Sequence, residues 1–195
     1  MRTFGLAMAL CLCGVLSAGA QTAAETPGKK SAHETAPGAV AWEEYDAVAI
    51  LLNPQGEKIG KVIVVEAADG LLLRLQAHGL KPGWHAFHLH QSGKCEAPSF
   101  ESAGGHYHPG MGAHGLLDQE DPHAGDLVNI YVPEDGKVVQ EIHAARLSLR
   151  GEANILDADG SAFVIHEKAD DYLSQPSGAS GGRIACGVVQ AGKGR

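Results

Sequence analysis

The chain has 195 residues and a formal net charge of −8, long enough for one domain with its own core. The acidic balance argues against nucleic acid or an anionic membrane surface as partner. No stretch approaches the roughly 20 apolar residues of a membrane-spanning helix, and an anionic substrate would be repelled unless the chain supplies a local cation.

The N-terminus carries Arg2, a short apolar run from Leu6 to Leu16, and Ala18-Gly19-Ala20 as a small-residue cleavage site. This pattern predicts a signal peptide over residues 1–20, cut near Ala20, and export to the periplasm or beyond. Cys11 and Cys13 lie inside it and each follows a leucine, so no lipid anchor is expected. Residues 21–44 are rich in Ala, Thr, Pro and Gly without apolar periodicity and are expected to be a flexible linker, leaving a domain over 45–195. Two cysteines remain, Cys95 and Cys186. An even count in an exported chain suggests a disulfide, with two buried free thiols as the alternative.

From Tyr45 onward, runs of Val, Ile and Leu alternate with turn residues. The strands expected are Tyr45–Leu52, Ile59–Ala67, Leu71–Ala77, Trp84–His90, Leu127–Val132, Val138–Leu149, Ala162–His166 and Ile184–Gln190. Asn53-Pro54-Gln55-Gly56, Ala68-Asp69-Gly70, Lys81-Pro82-Gly83 and Glu134-Asp135-Gly136 punctuate them. Eight short strands without long helical periodicity predict an all-β sandwich or barrel. Gln91–Asp126 and Glu167–Arg183 break the rhythm as long, glycine-rich loops, and loops of that length are usually functional or disordered.

Seven of the eleven histidines fall between His85 and His123. His88 and His90 end a strand pattern, and side chains two apart on a strand share a face, so both rings can reach one ion. His106, His114, His123 and Asp126 then offer three imidazoles and a carboxylate, a closed tetrahedral set of the kind zinc takes. His88, His90 and His106 with His166 offer an all-imidazole set, which suits copper. His106 stands in both, and one ring has two nitrogens with which to bridge two metals. His33, His78 and His143 read as ordinary surface or core residues.

Five motifs in order resemble the copper,zinc superoxide dismutase family, covering about Tyr45 to Gln190. They are Gly83 to His90, Ser102 to His106, Pro122 to Leu127, Val164 to Asp171 and Gly181 to Val188. The Gln175-Pro176-Ser177-Gly178 stretch is similar to bacterial exported members. The resemblance implies an eight-stranded antiparallel Greek-key barrel with two functional loops, and disproportionation of superoxide. It implies copper on His88, His90, His106 and His166, and zinc on His106, His114, His123 and Asp126. Asp170 would link a copper ligand to a zinc ligand, with His85 behind the ligands. Arg183 would stand beside the open face of copper, and Cys95 would pair with Cys186. Lys94 is a candidate steering charge, and Lys168 a weaker one. Ala86 stands where glycine is usual, Gln91 where an acid is common, and His108 where asparagine is frequent. A non-turnover copper or zinc carrier on the same barrel is the alternative function. A homodimer and a monomer are both compatible with the sequence.

Overall fold

The computed structural model describes residues 44–110, 112–118 and 121–192; the expected signal peptide and all but the last residue of the linker lie outside them. Among the described residues, nine strands form: β1 Ala47–Leu52, β2 Lys58–Ala67, β3 Gly70–Ala77, β4 Gly83–His85, β5 Phe87–His90, β6 Ile130–Val132, β7 Val138–Ala144, β8 Ala162–His166 and β9 Arg183–Ala191. Seven lie in one antiparallel sheet in the order β5-β8-β9-β1-β2-β3-β7, and β4 pairs with β6 in a separate ribbon. Partners distant in sequence, β3 with β7 and β9 with β1, give the over-the-end connections of a Greek key. β6 adjoins β7, and β4 runs on into β5, so the ribbon bridges the two ends of the sheet into a barrel.

Period-two alternation fills the interior. Leu71, Leu73, Leu75 and Ala77 of β3 are buried while Leu72, Arg74 and Gln76 between them are partly exposed. The core gathers Leu51, Val62, Phe87, Leu89, Ile130 and Phe163, with the rings of Phe87 and Phe163 stacked at 5.4 Å.

Most expected strands shift by one or two residues at an end, and three differ more. The run Trp84–His90 is divided at Ala86, because His85 pairs with Ile130 of β6 whereas Phe87 pairs with Ile165 of β8. At the change of partner, Ala86 N–H donates to Lys168 O at 2.8 Å and Ala86 O accepts from His166 N–H at 2.9 Å. The run Val138–Leu149 leaves the sheet after Ala144, where Leu147 N–H turns back onto Ala144 O at 3.2 Å and the Leu147 side chain enters the core. The run Leu127–Val132 becomes a strand only at Ile130.

The outer face of β8 and β9 is covered by the first long loop. Phe100 and Ala103 pack there on Ala162, Val164 and Cys186 in a second, smaller apolar cluster. A disulfide joins Cys95 to Cys186 with a Cα–Cα distance of 5.7 Å across 91 residues. Bonds of this kind persist in oxidising compartments. Replacing Cys95 with serine should lower unfolding stability by up to about 4–5 kcal/mol, the loop-closure entropy of so long a span; a comparison of urea midpoints measures it.

Candidate metal centre

Strand β5 is an edge of the sheet, and an edge strand carries backbone groups that need partners. The first long loop supplies them. Leu89 N–H donates to Gly125 O at 2.9 Å, Tyr107 N–H to Leu89 O at 2.8 Å and Gln91 N–H to Gly105 O at 3.0 Å. This pairing sets His90 opposite His106 and His88 opposite Asp126. Gly125 allows the close approach, since a Cβ there would lie 2.9 Å from Tyr107 N. Phe87 and Leu89 join the core, while His88 and His90, on the opposite face, are also buried.

Two groups of donor atoms result. His88, His90, His106 and His166 form one, and His106, His114, His123 and Asp126 the other; within each, all donors lie within 4.8 Å of one another. Hydrogen bonds decide which ring nitrogen each histidine can offer. His88 Nε2 donates to Asp170 Oδ2 at 2.8 Å, and its Nδ1 is buried without a hydrogen-bond partner. His90 Nδ1 donates to Gly104 O at 2.9 Å and His166 Nδ1 to Gly181 O at 3.2 Å, leaving their Nε2 atoms 3.4 Å apart. His106 Nδ1 lies 2.7 Å from Asp126 Oδ1 and 3.3 Å from His114 Nδ1, while its Nε2 is buried without a partner. His114 Nδ1 lies 3.1 Å and His123 Nδ1 3.4 Å from Asp126 Oδ1. A tetrahedron with metal–ligand bonds of ~2.0–2.1 Å has edges of ~3.3 Å, so the second group has the spacing of a zinc site. Buried imidazole nitrogens converging without protein partners fit a soft or borderline cation.

Outside the donors, Asp170 receives His88 Nε2 on one oxygen and His114 Nε2 at 2.9 Å on the other, tying the two groups together. His85 braces the end of β8, its Nδ1 2.8 Å from His166 O and its Nε2 2.8 Å from Lys81 O. Arg183 is half-buried and donates through Nη1 to Phe100 O at 2.6 Å and through Nη2 to Gly104 O at 2.7 Å. It lines a pocket of about 660 Å³ with His90, His106, His166, Pro176 and Ser177. His108 lines this pocket too, 3.9 Å from Asp121 Oδ2. Lys94 and Lys168 are exposed and outside the pocket lining. Two residues without a role in the sequence reading also serve the site. Asn129 accepts from Asp170 N–H at 2.8 Å and donates to Asp170 O at 2.9 Å, and Gln175 grips the main chain of His114 in the same way. Asn129 belongs to no spacing pattern, and Gln175 falls in the stretch similar to bacterial exported members without a role read there, so only the fold gives either its task.

The family profile described as Copper/zinc superoxide dismutase (SODC) matches residues 58–189. The chain belongs to the copper/zinc superoxide dismutase family. It is 44% identical to the Superoxide dismutase [Cu-Zn] of Caulobacter vibrioides over 148 residues, 74% of this chain and 85% of that protein. A crystal structure of a SOD-like protein from Bacillus subtilis superposes with a TM-score of 0.70 at 44% identity, covering 72% of this chain and 96% of the other. The Cu/Zn superoxide dismutase from Brucella abortus gives 0.62 at 30% identity, covering 74% and 100%. The enzyme disproportionates superoxide, and its cofactors are copper and zinc.

The electrostatics of the superoxide dismutase differ between the two donor groups. Burial drives the His88 ring down to about 4, against the pull of its Asp170 hydrogen bond, and His166 down to about 3; it also lowers His90. These rings therefore stay neutral and keep their lone pairs. His114 behaves oppositely: burial lowers it, but hydrogen bonds to Asp126 and Asp170 prevail and push it up to about 9. Burial would raise the two carboxylates, yet the imidazoles bonded to them hold both well below the usual carboxylate range. Two buried anions are a demand for positive charge, which a dication meets.

The depressed imidazoles bind protons in the unfolded chain near pH 6.5 but in the folded chain only near 3–4. Stability present above pH 6.5 is thus lost as pH falls through that window. The contribution of His114 is opposite in sign, complete below 6.5 and lost as pH rises through about 9. Urea midpoints of the metal-free enzyme should therefore fall between pH 6.5 and 4; a midpoint that rose across that range would contradict the reading.

Proposed function

We propose that copper is held by His88 through Nδ1 and by His90, His106 and His166 through Nε2, and zinc by Nδ1 of His106, His114 and His123 with Asp126. The observation that carries this assignment is His106, whose Nδ1 sits among one donor group while its Nε2, buried and unpartnered, is left for the other. When bound, copper supplies the one-electron exchange that zinc lacks. Two superoxide anions and two protons become oxygen and hydrogen peroxide. His106 takes up and returns a proton at Nε2, and the ring keeps its place meanwhile because Nδ1 is fixed on the zinc side. Asp170 holds Nε2–H of His88 and of His114, which fixes the tautomers that leave both Nδ1 atoms as donors. Arg183 gives the acidic chain the local cation it needs, and its two carbonyl anchors keep the guanidinium at the pocket rather than in bulk water. Lys94 adds a weaker, exposed charge. A carrier without turnover would have no use for an arginine fixed beside an open pocket.

We infer the domain division from the sequence alone: a signal peptide over residues 1–20, a linker over 21–44, and the catalytic domain over 45–195. The Cys95–Cys186 bond supports export to the periplasm or beyond. Among the described residues no helix is long and apolar enough to cross a membrane. A homodimer would find a seat on the β4–β6 ribbon, where Trp84 and Tyr131 are exposed with their rings 5.1 Å apart; sedimentation of the wild type and a Trp84→Ser variant reads the state.

Elemental analysis of the purified protein should return one copper and one zinc per chain. Arg183→Ala should retain both metals and lose activity by roughly tenfold or more, together with most of its dependence on ionic strength. Full activity in that variant would remove the steering role.

A further inference from the structure

The Gln175–Gly178 stretch has a part that the reaction does not use. Pro176 and Ser177 line the pocket, but Gln175 reaches into the other long loop. Its Oε1 accepts from His114 N–H at 2.9 Å and its Nε2 donates to His114 O at 2.7 Å. His114 is fully buried and belongs to no strand, so this amide occupies its main chain as a neighbouring strand would in a ladder. Gln175 is itself firmly presented. Leu173 and Ser174 N–H donate to Asp171 Oδ1 at 2.9 and 2.7 Å, and Gly178 N–H to Ser174 O at 2.6 Å. A second link joins the same loops, from Leu117 N–H to Tyr172 O at 3.2 Å. Gly178, at φ 64°, brings its backbone against the Asp170–His114 bond so closely that a Cβ would lie 2.8 Å from His114 Nε2 and overlap the Asp170 carboxylate.

We propose that Gln175 is a positioning residue for His114, fixing its main chain and thereby the aim of Nδ1 and the hold on zinc. The proposal rests on the assignment of His114 to zinc. Gln175 is not among the donors and does not line the pocket, so among the donors it reaches, it acts through His114. Outer partners of metal ligands typically change affinity by about 10–100-fold. Gln175 is exposed, so water replaces part of what a substitution removes, and the effect belongs at the lower end. The same exposure means that substitution leaves the barrel core untouched.

Zinc release from the fully loaded protein, followed with a chromophoric chelator, is the primary readout. The visible absorption of cobalt(II) placed in the zinc site is the second, because it reports ligand geometry. Gln175→Met keeps the length and apolar stem and removes both hydrogen bonds to His114, along with a longer one within its own loop to Leu173 O. Gln175→Glu sets a carboxylate oxygen against the His114 carbonyl. Both should release zinc about tenfold faster and change the cobalt spectrum, with copper content and the disulfide unaltered. Wild-type release and spectrum in both variants would overturn the proposal. Failure of the wild type to bind zinc or cobalt at this centre would instead overturn the zinc assignment, and is read before any variant is made.

Discussion

A single imidazole with one nitrogen on each side of a divide organises this site. His106 can serve two cations only if its ring is held edge-on between them, and nothing in the ring itself ensures that. The edge strand β5 does. Its unpaired N–H and C=O groups take the first long loop as a surrogate strand, which puts His106 against His90 and Asp126 against His88. The hydrogen-bond demand of a sheet edge thus becomes the register of a two-metal centre.

Around that ring the chain builds two unlike environments from nearly the same residue type. On one side, imidazoles donate outward to carbonyls or to Asp170 and keep neutral nitrogens facing inward. On the other, buried Asp126 contributes charge directly and Asp170 contributes it through His114. The neutral set suits an ion that must change its own charge during turnover; the anionic set suits one that must not leave. Asp170 belongs wholly to neither, since one of its oxygens accepts from His88 and the other from His114.

The two groups of candidate donors were legible because their chemistry is concentrated in histidine, an uncommon residue whose clustering and period-two spacing carry geometry. The strands were legible from alternation, and β3 follows it residue by residue. The break at Ala86 was not, since His85 and Phe87 look alike as strand residues and differ only in which distant strand each meets. The end of β7 was hidden for a related reason: Leu147 continues the apolar pattern but enters the core from a turn. Asn129 and Gln175 were invisible because a side chain that copies a peptide group needs no pattern of its own, only the right place in the folded chain.

One carbonyl oxygen, that of Gly104, accepts from both His90 Nδ1 and Arg183 Nη2. A ring of the all-histidine donor group and the guanidinium that lines the pocket are therefore surveyed from the same benchmark. Displacing that one peptide group would disturb a donor ring and the pocket's guanidinium at once.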